Sequence, residues 1–289
     1  MSVSIITTTI NKPILLSEYC KNVSANGYKD VNFIVIGDKK TPSGVSVFCD
    51  TLSKQSGYKI LYYDIPQQLE YLKKFPDLAK HLPYNSIQRR NIGLLMAYEL
   101  GSNTIITIDD DNLVTKNDFV GCHSIVSDSK KTQYPCLASD NGWFNVCEML
   151  VEEEGRPFYH RGFPIGQRWK QGVIKKFEKN AEIVVNAGLW LNDPDIDAIT
   201  RMDMPIKSTK LKEKYTHNIV LDVGTWSPFN SQNTALARKV IPAYFLSPNI
   251  GRYDDIWASY FLRKIIDHLN DAVMYGNPLV NQERNSHNL

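Results

Sequence analysis

Thr104-Ile-Ile-Thr-Ile-Asp-Asp-Asp-Asn112 is a run of β-branched residues that ends abruptly in three aspartates. Such a run reads as a buried strand. Side chains alternate along a strand, so Asp109 and Asp111 share a direction that Asp110 does not. Two carboxylates at the mouth of a parallel sheet, with no lysine or arginine adjacent in sequence, repel each other unless a cation sits between them. Carboxylate oxygens suit hard divalent ions, Mg²⁺ or Mn²⁺, commonly shared with the phosphates of a substrate. The stretch is a candidate nucleotide-diphosphate site with Asp109 and Asp111 as metal ligands. A solvated acidic turn after a strand is the plain alternative. In the metal reading, replacing either aspartate relieves repulsion and leaves the fold intact.

Around this stretch, strands alternate with helices. Residues 4–9, Val31–Ile36 and Lys59–Tyr63 read as strands, and Leu15, Tyr19 and Val23 share one face of a helix over 13–24. Asn85 is placed to cap a helix running to Leu100, and 103–108 is the strand that delivers the aspartates. This alternation predicts an α/β fold with a mainly parallel sheet and right-handed crossovers. Ligands of such sheets bind at the carboxyl ends of the strands, where Thr8, Asp38 and the three aspartates all fall. Further strands are expected at 133–138 and 182–185, so the sheet continues beyond this half. Trp257, Ala258, Phe261, Leu262, Ile265, Ile266 and Leu269 recur at helical spacing and read as one core-facing stripe. Residues 281–289 are polar and read as a docked tail or as a chain that continues.

Composition narrows the class. With 289 residues, 43% of them hydrophobic, the chain can bury one sizeable core. It reads as one domain over 1–289, with a nucleotide-binding half at 1–115 and a sugar or acceptor half at 116–289. A net charge of +2 and no dense basic run give no reason to expect nucleic acid. Five scattered cysteines without a CxxC pair read as reduced thiols of a cytoplasmic protein. The opening residues lack a basic segment followed by an apolar core and read as the first strand, not a signal peptide. No apolar run approaches the length of a membrane span.

Other segments carry candidate chemistry. Arg89 and Arg90 lie in the first turns of their helix, where the macrodipole disfavours cations. A bound phosphate or carboxylate reverses that cost; so does pairing with the acidic turn. In Gly251-Arg-Tyr-Asp-Asp-Ile-Trp257, Asp254 and Asp255 suit a helix N-terminus, and either is also a candidate general base or sugar-hydroxyl ligand. Arg252 beside them is a candidate substrate contact. His268, further along that helix, is either an additional metal ligand or a packed or surface residue. In His160-Arg-Gly-Phe-Pro-Ile-Gly-Gln-Arg168 the glycines and proline forbid a regular helix, so Arg161 and Arg168 are loop residues able to reach a cleft. Trp190, before a proline-broken acidic turn, suits a sugar face or the core.

IDDDN at 108–112, RGFPIGQR at 161–168, GLWLNDPDIDA at 188–198, GRYDDIWASYF at 251–261 and NPLV at 277–280 together resemble the reversibly glycosylated polypeptides, the UDP-arabinopyranose mutases of plants. The first third, through TTTINKP, IGDKKTP and LPYNSIQRRNIG, is similar to a related group of glycosyltransferases and departs from the plant mutase pattern. The resemblance implies a GT-A-like fold and a nucleotide-sugar enzyme, with Mn²⁺ or Mg²⁺ on the diphosphate through Asp109 and Asp111 and with Asp38 near the base. It also implies that Arg161 matches the arginine that becomes reversibly glycosylated, and Arg168 a second arginine of that loop. A guanidinium stays protonated and is a poor nucleophile. Either a carboxylate, Asp254 or Asp255, takes its proton, or the sugar transfers through a strongly cation-like state. The expected activity is pyranose–furanose interconversion of a UDP-sugar. The alternatives are transfer of the sugar to an external acceptor and a non-catalytic binding subunit; a homo-oligomer is compatible with each.

Overall fold

The apolar β-branched runs do form strands in the computed structural model, which describes residues 2–170, 172–215 and 218–283. In chain order these are β1 (Val3–Thr8), β2 (Val31–Ile36), β3 (Lys59–Tyr63), β4 (Thr104–Ile108), β5 (Asn112–Val114), β6 (Thr132–Ser139) and β7 (Leu150–Glu152). They continue with β8 (Ile174–Ala181), β9 (Ile183–Asn192), β10 (Ser208–Leu211), β11 (Ile219–Leu221), β12 (Asn233–Ala237) and β13 (Ala272–Gln282). The α-helices are α1 (Leu16–Ala25), α2 (Val45–Ser56), α3 (Ile65–Leu72), α4 (Pro76–His81), α5 (Arg90–Glu99), α6 (Phe119–His123), α7 (Ala198–Asp203) and α8 (Asp254–Leu269).

One sheet runs in the order β3-β2-β1-β4-β12-β9-β13-β11-β6-β8. Its first four strands are parallel, as the strand–helix alternation predicts. β12 is antiparallel to both β4 and β9, so β9 and its parallel neighbour β13 point the same way as β4. The carboxyl ends of β1, β2, β4 and β9 therefore lie along one edge, together with the start of β12. That shared edge is what assembles the site.

Local chemistry sets the joints. Asp64 and Gln67 form a reciprocal capping box at the start of α3. Gly57, with φ 77°, ends α2 in the left-handed region where a side chain is strained. Gly93 lets α5 approach the sheet: a Cβ there would sit 2.5 Å from Ile6 Cγ2. Four cysteines are buried and Cys122 is half-buried; all five are free thiols. Among the described residues no helix is long and apolar enough to cross a membrane.

Several expectations need correcting. Asn85 does not cap the helix: it has φ 51°, and its side chain accepts the Lys40 amide at 3.2 Å. A 3₁₀ turn over Ile87–Arg89 precedes α5 instead. The strand expected at 182–185 runs on to Asn192 and carries Trp190 into the sheet. The α8 stripe divides. Ala258, Leu262 and Ile266 are buried, whereas Trp257, Phe261, Ile265 and Leu269 are exposed. Of the tail at 281–289, Asn281 and Gln282 pair with β5 as the end of β13, and 284–289 lie outside the described residues.

Candidate functional site

The acidic turn closes on itself before it can bind anything. The Asp109 amide donates to Asn112 Oδ1 at 3.1 Å, and the Asn112 amide returns to the Asp109 carbonyl at 3.3 Å. Asp110 is drawn aside by Thr9, whose hydroxyl donates to it at 2.6 Å. Burial, first, pushes the Asp110 carboxyl above its usual range, and the Thr9 bond opposes that. Asp109 and Asp111 are both partly exposed at the strand mouth. Their charges, after burial, help hold the Tyr19 phenol well above its ordinary value.

Arg90 is buried at the start of α5 and forms an ion pair with Asp109 Oδ1. The same guanidinium donates to the Ile108 carbonyl at 3.0 Å, to Ser231 and, at 3.4 Å, to the hydroxyl of Thr8. Arg90 thus pairs with the acidic turn, one of the two partners that the sequence left open. Arg89 goes elsewhere. It is buried, donates to Gln68 at 2.8 Å and stacks on Tyr84, 4.8 Å from the ring centre. Burial lowers its pKa, against the opposing charge of Asp38. Asp38 lies at the end of β2 and spends both oxygens on backbone amides, those of Lys39 at 2.7 Å and Ser86 at 3.1 Å.

A second cluster forms around Arg161. Its Nε reaches both oxygens of Asp195 at 2.9 and 3.0 Å. Nη1 and Nη2 reach the two oxygens of Asp255 at 3.1 and 2.8 Å, and Nη1 also donates to the Arg252 carbonyl at 2.7 Å. Burial alone would ease the proton off this guanidinium, but the two carboxylates outweigh it and hold its pKa well above the ordinary value. Asp195 is the other side of the same balance. Burial raises it, and Arg161 and His160 bring it down to about 2. Asp254 differs from its neighbour. It is buried, accepts from Gln88 Nε2 at 2.7 Å, and is pushed up to about 6 by burial and then by the Asp255 charge. A carboxyl in that range can exchange a proton near neutrality.

The two clusters are joined. Ser231 accepts from Arg90 through its carbonyl and hydroxyl, while its amide donates to Asp255 at 3.4 Å. The chain of contacts Asp109–Arg90–Ser231–Asp255–Arg161–Asp195 spans the sheet edge.

Two candidates fall outside it. Trp190 is buried on β9 with its ring 5.0 Å from that of His160, so it is core and presents no face to a sugar. His268 is exposed in the last turn of α8. It stands fourteen residues beyond Asp254, about 21 Å along the helix, and no group of three or more potential metal ligands forms among the described residues. Arg252 contributes its carbonyl while its side chain is exposed. Arg168 pairs with Asp197 at 2.7 Å, beside the cluster. The residue that sequence reasoning missed is Asp195. Its signal was available: it follows the carboxyl end of β9 closely, at the same edge as Asp38 and Asp109.

Asp109 and Asp111 offer only oxygen, the donor set that Mg²⁺ and Mn²⁺ prefer, and Arg90 engages only Oδ1 of Asp109. No group of three or more His, Cys, Asp or Glu side chains is poised to hold a metal among the described residues. Mg²⁺ commonly takes one or two carboxylates and completes its shell with water and substrate phosphate, so the pair fits.

The fold is α/β: the first four strands of the sheet run parallel, with an acidic turn at their mouth. The family model for reversibly glycosylated polypeptides matches residues 53–289, and the chain belongs to that family. It is 33% identical over 183 residues to UDP-arabinopyranose mutase 1 of Oryza sativa subsp. japonica, covering 61% of this chain and 46% of that protein. UDP-arabinopyranose mutase 1 of Arabidopsis thaliana is 31% identical over the same shares. The chain thus spans about half the length of the curated relatives it matches. Among solved structures, glucosyl-3-phosphoglycerate synthase of Mycobacterium tuberculosis, in complex with Mn²⁺ and UDP-glucose, is 12% identical with a TM-score of 0.44, over 99% of this chain and 72% of that one. S. aureus TarS 1-349 is 10% identical with a TM-score of 0.46, over 98% and 60%.

Proposed function

We propose that this protein is a nucleotide-sugar enzyme, and that its reaction is interconversion of the pyranose and furanose rings of a UDP-activated sugar. The observation that carries this reading is the Arg161 guanidinium held between Asp195 and Asp255. Family membership supports it, since the relatives bear the name UDP-arabinopyranose mutase. In this reading 1–115 is the nucleotide-binding half and 116–289 the sugar half, and the protein works in the cytoplasm. Thr8 and Asp38 stand at the strand ends that the nucleotide would approach, buried Arg89 would support that side from beneath through Gln68, and Arg168 flanks the sugar cluster.

Asp109 and Asp111 would hold a divalent ion, Mn²⁺ or Mg²⁺, whose chemistry there would be to neutralise charge on the diphosphate leaving group. The bond from the anomeric carbon to the diphosphate oxygen breaks, and its electron pair leaves with the nucleotide. A bond forms from that carbon to a terminal nitrogen of Arg161, and the displaced N–H proton passes to Asp255, which already accepts from it. The ring of the adduct opens as its oxygen takes a proton, and a different hydroxyl recloses on the same carbon as it gives one up. Diphosphate then returns, and the nitrogen recovers its proton from Asp255. Because Asp195 and Asp255 hold Arg161 so firmly protonated, attack requires a sugar carbon already close to a cation. Those carboxylates also lie where they would stabilise that charge.

Transfer to an external acceptor is the second reading, favoured by Asp254, whose pKa of about 6 suits a general base. A non-catalytic sugar-nucleotide subunit is the third. The test is incubation with UDP-arabinopyranose and other UDP-sugars, with and without saccharide acceptors, followed by separation of ring isomers. A ring isomer formed without acceptor supports the mutase. Product only with acceptor replaces it by the transferase, and binding without product by the subunit.

A further inference from the structure

Gln232 lies between the two clusters and belongs to neither. β12 is antiparallel to β4 with Asn233 opposite Ile108, so Gln232, one residue earlier, leaves the sheet at the level of Asp109. On its other side stands Asn230, buried in the same turn. Asn230 Nδ2 donates to Asp195 Oδ2 at 2.7 Å and to Gln232 Oε1 at 2.9 Å. Two acceptors of one amide nitrogen lie about 5 Å apart, which sets Gln232 Oε1 close to the carboxylate that holds Arg161.

The same contacts fix the Gln232 amide. The Gln232 backbone N–H donates to Asn230 Oδ1 at 3.2 Å, and the Thr234 hydroxyl donates to the Asn230 carbonyl at 2.7 Å, so the turn is held. With Oε1 turned to Asn230, Nε2 points away with two hydrogens to give. It finds no acceptor among the described residues. Gln232 is 8% exposed, and Nε2 keeps accessible surface, unlike the sealed and unpartnered Nε1 of Trp190. A held, largely buried side chain with an unspent and reachable donor asks for an acceptor from outside. Asp109, Asp111, Asp195 and Asp255 present acceptor oxygens, which serve a cation or the hydrogens of hydroxyl groups. The oxygen lone pairs of a substrate need a donor, and this neutral amide supplies one.

We propose that Gln232 is a substrate contact, its Nε2 donating to an oxygen of a bound sugar nucleotide at or beside the sugar–phosphate linkage. A sugar hydroxyl and a β-phosphate oxygen share this chemistry. The inference rests on the nucleotide-sugar reading above and places the linkage between Asp109 and Arg161.

Calorimetric titration of wild-type protein, Gln232→Glu and Gln232→Met with UDP-arabinopyranose, UDP and UMP tests it, with Mn²⁺ present throughout. Glutamate keeps an acceptor for Asn230 and loses the donor. Methionine keeps the volume and adds no charge, so it serves where a further carboxylate beside Asp109 and Asp195 prevents folding. Each folded variant is expected to bind UDP-arabinopyranose about tenfold more weakly, the weight of one hydrogen bond, and to bind UMP as the wild type does. Loss confined to UDP-arabinopyranose assigns the partner to a sugar hydroxyl; an equal loss for UDP assigns it to the β-phosphate. Unchanged UDP-arabinopyranose affinity in either folded variant overturns the proposal and leaves the nucleotide-sugar reading standing. So does equal weakening of UMP, which makes Gln232 a support of the turn. Wild-type protein that binds none of the three overturns the nucleotide-sugar reading and this inference with it.

Discussion

Arg161 and Asp255 meet edge to edge, Nη1 on Oδ1 at 3.1 Å and Nη2 on Oδ2 at 2.8 Å. The pair joins an irregular loop to the first turn of α8, and Asp195 closes the opposite side of the same guanidinium. One cation therefore serves two carboxylates. Whatever reacts here must work against a proton those carboxylates hold in place.

Asp255→Asn removes one of the two charges and leaves the shape. Arg161 keeps Asp195, so the expected loss of stability is at the lower end for a broken buried pair, about 3 kcal/mol. Turnover should fall much further, on the order of 100-fold or more, because Asp255 is the proton acceptor of the proposed step. Urea unfolding and initial rates on one preparation check both. A variant that is destabilised but turns over normally leaves Asp255 a purely structural partner.

The acidic turn should not respond symmetrically. Asp109 compensates Arg90, whose side chain is fully buried, whereas Asp111 is partly exposed beside Asn112. Asp109→Asn is expected to cost about 2 kcal/mol of stability and Asp111→Asn no more than about 0.5 kcal/mol. This corrects the expectation that both replacements spare the fold, because sequence adjacency could not show that Arg90 reaches Asp109. Both variants should lose the divalent dependence of UDP-sugar binding. Calorimetry with and without Mn²⁺ that finds wild-type affinity in both would rule out the metal role.

Much of this was legible, for a definite reason. β1, β2 and β4 are short, largely β-branched runs that are buried almost throughout, so their ends, and the placement of Thr8, Asp38 and Asp109 at those ends, could be read directly. The stripe on α8 was only half right. Helical periodicity groups Trp257 and Phe261 with Leu262 and Ile266, but which side of a broad apolar surface meets the sheet is a tertiary fact. Trp190 was ambiguous until β9 proved long enough to bury it. Asp195 was missed because its partner lies in a loop thirty-four residues away, brought close only by the return of the chain along β8 and β9.

The titration of Asp254 should appear in stability. Its folded pKa, about 6, lies above the ordinary value of 3.8. The native state therefore binds more protons between those values than the unfolded chain. Its contribution is fully present below about pH 4 and is lost as pH rises through about 6, amounting to about 3 kcal/mol. Asp254→Asn cannot titrate, so wild-type stability relative to this variant should decline from pH 4 to pH 7. Paired urea curves measure the difference, and a constant gap across that range would contradict the assignment. Asp195, with a folded pKa of about 2, has the opposite sign. Its contribution is present above about pH 4 and is lost as pH falls through about 2.

Arg161→Lys separates a covalent role from a gripping one. Lysine keeps the positive charge but has one nitrogen, so it cannot reach Asp195 and both oxygens of Asp255 together. If the sugar bonds to the guanidinium, wild-type protein incubated with radiolabelled UDP-sugar should carry label that added free UDP removes. The lysine variant should then lose labelling and isomerisation together, with kcat falling and not merely KM rising. If Arg161 only grips phosphate, the variant should raise KM and spare kcat, because it loses binding made equally in ground and transition states. Loss of the ion pairs will also lower stability, so labelling must be compared at a temperature where both proteins are folded. Wild-type protein that isomerises its substrate yet never carries label excludes the adduct, and leaves Arg161 as the charge that Asp195 and Asp255 hold against the sugar.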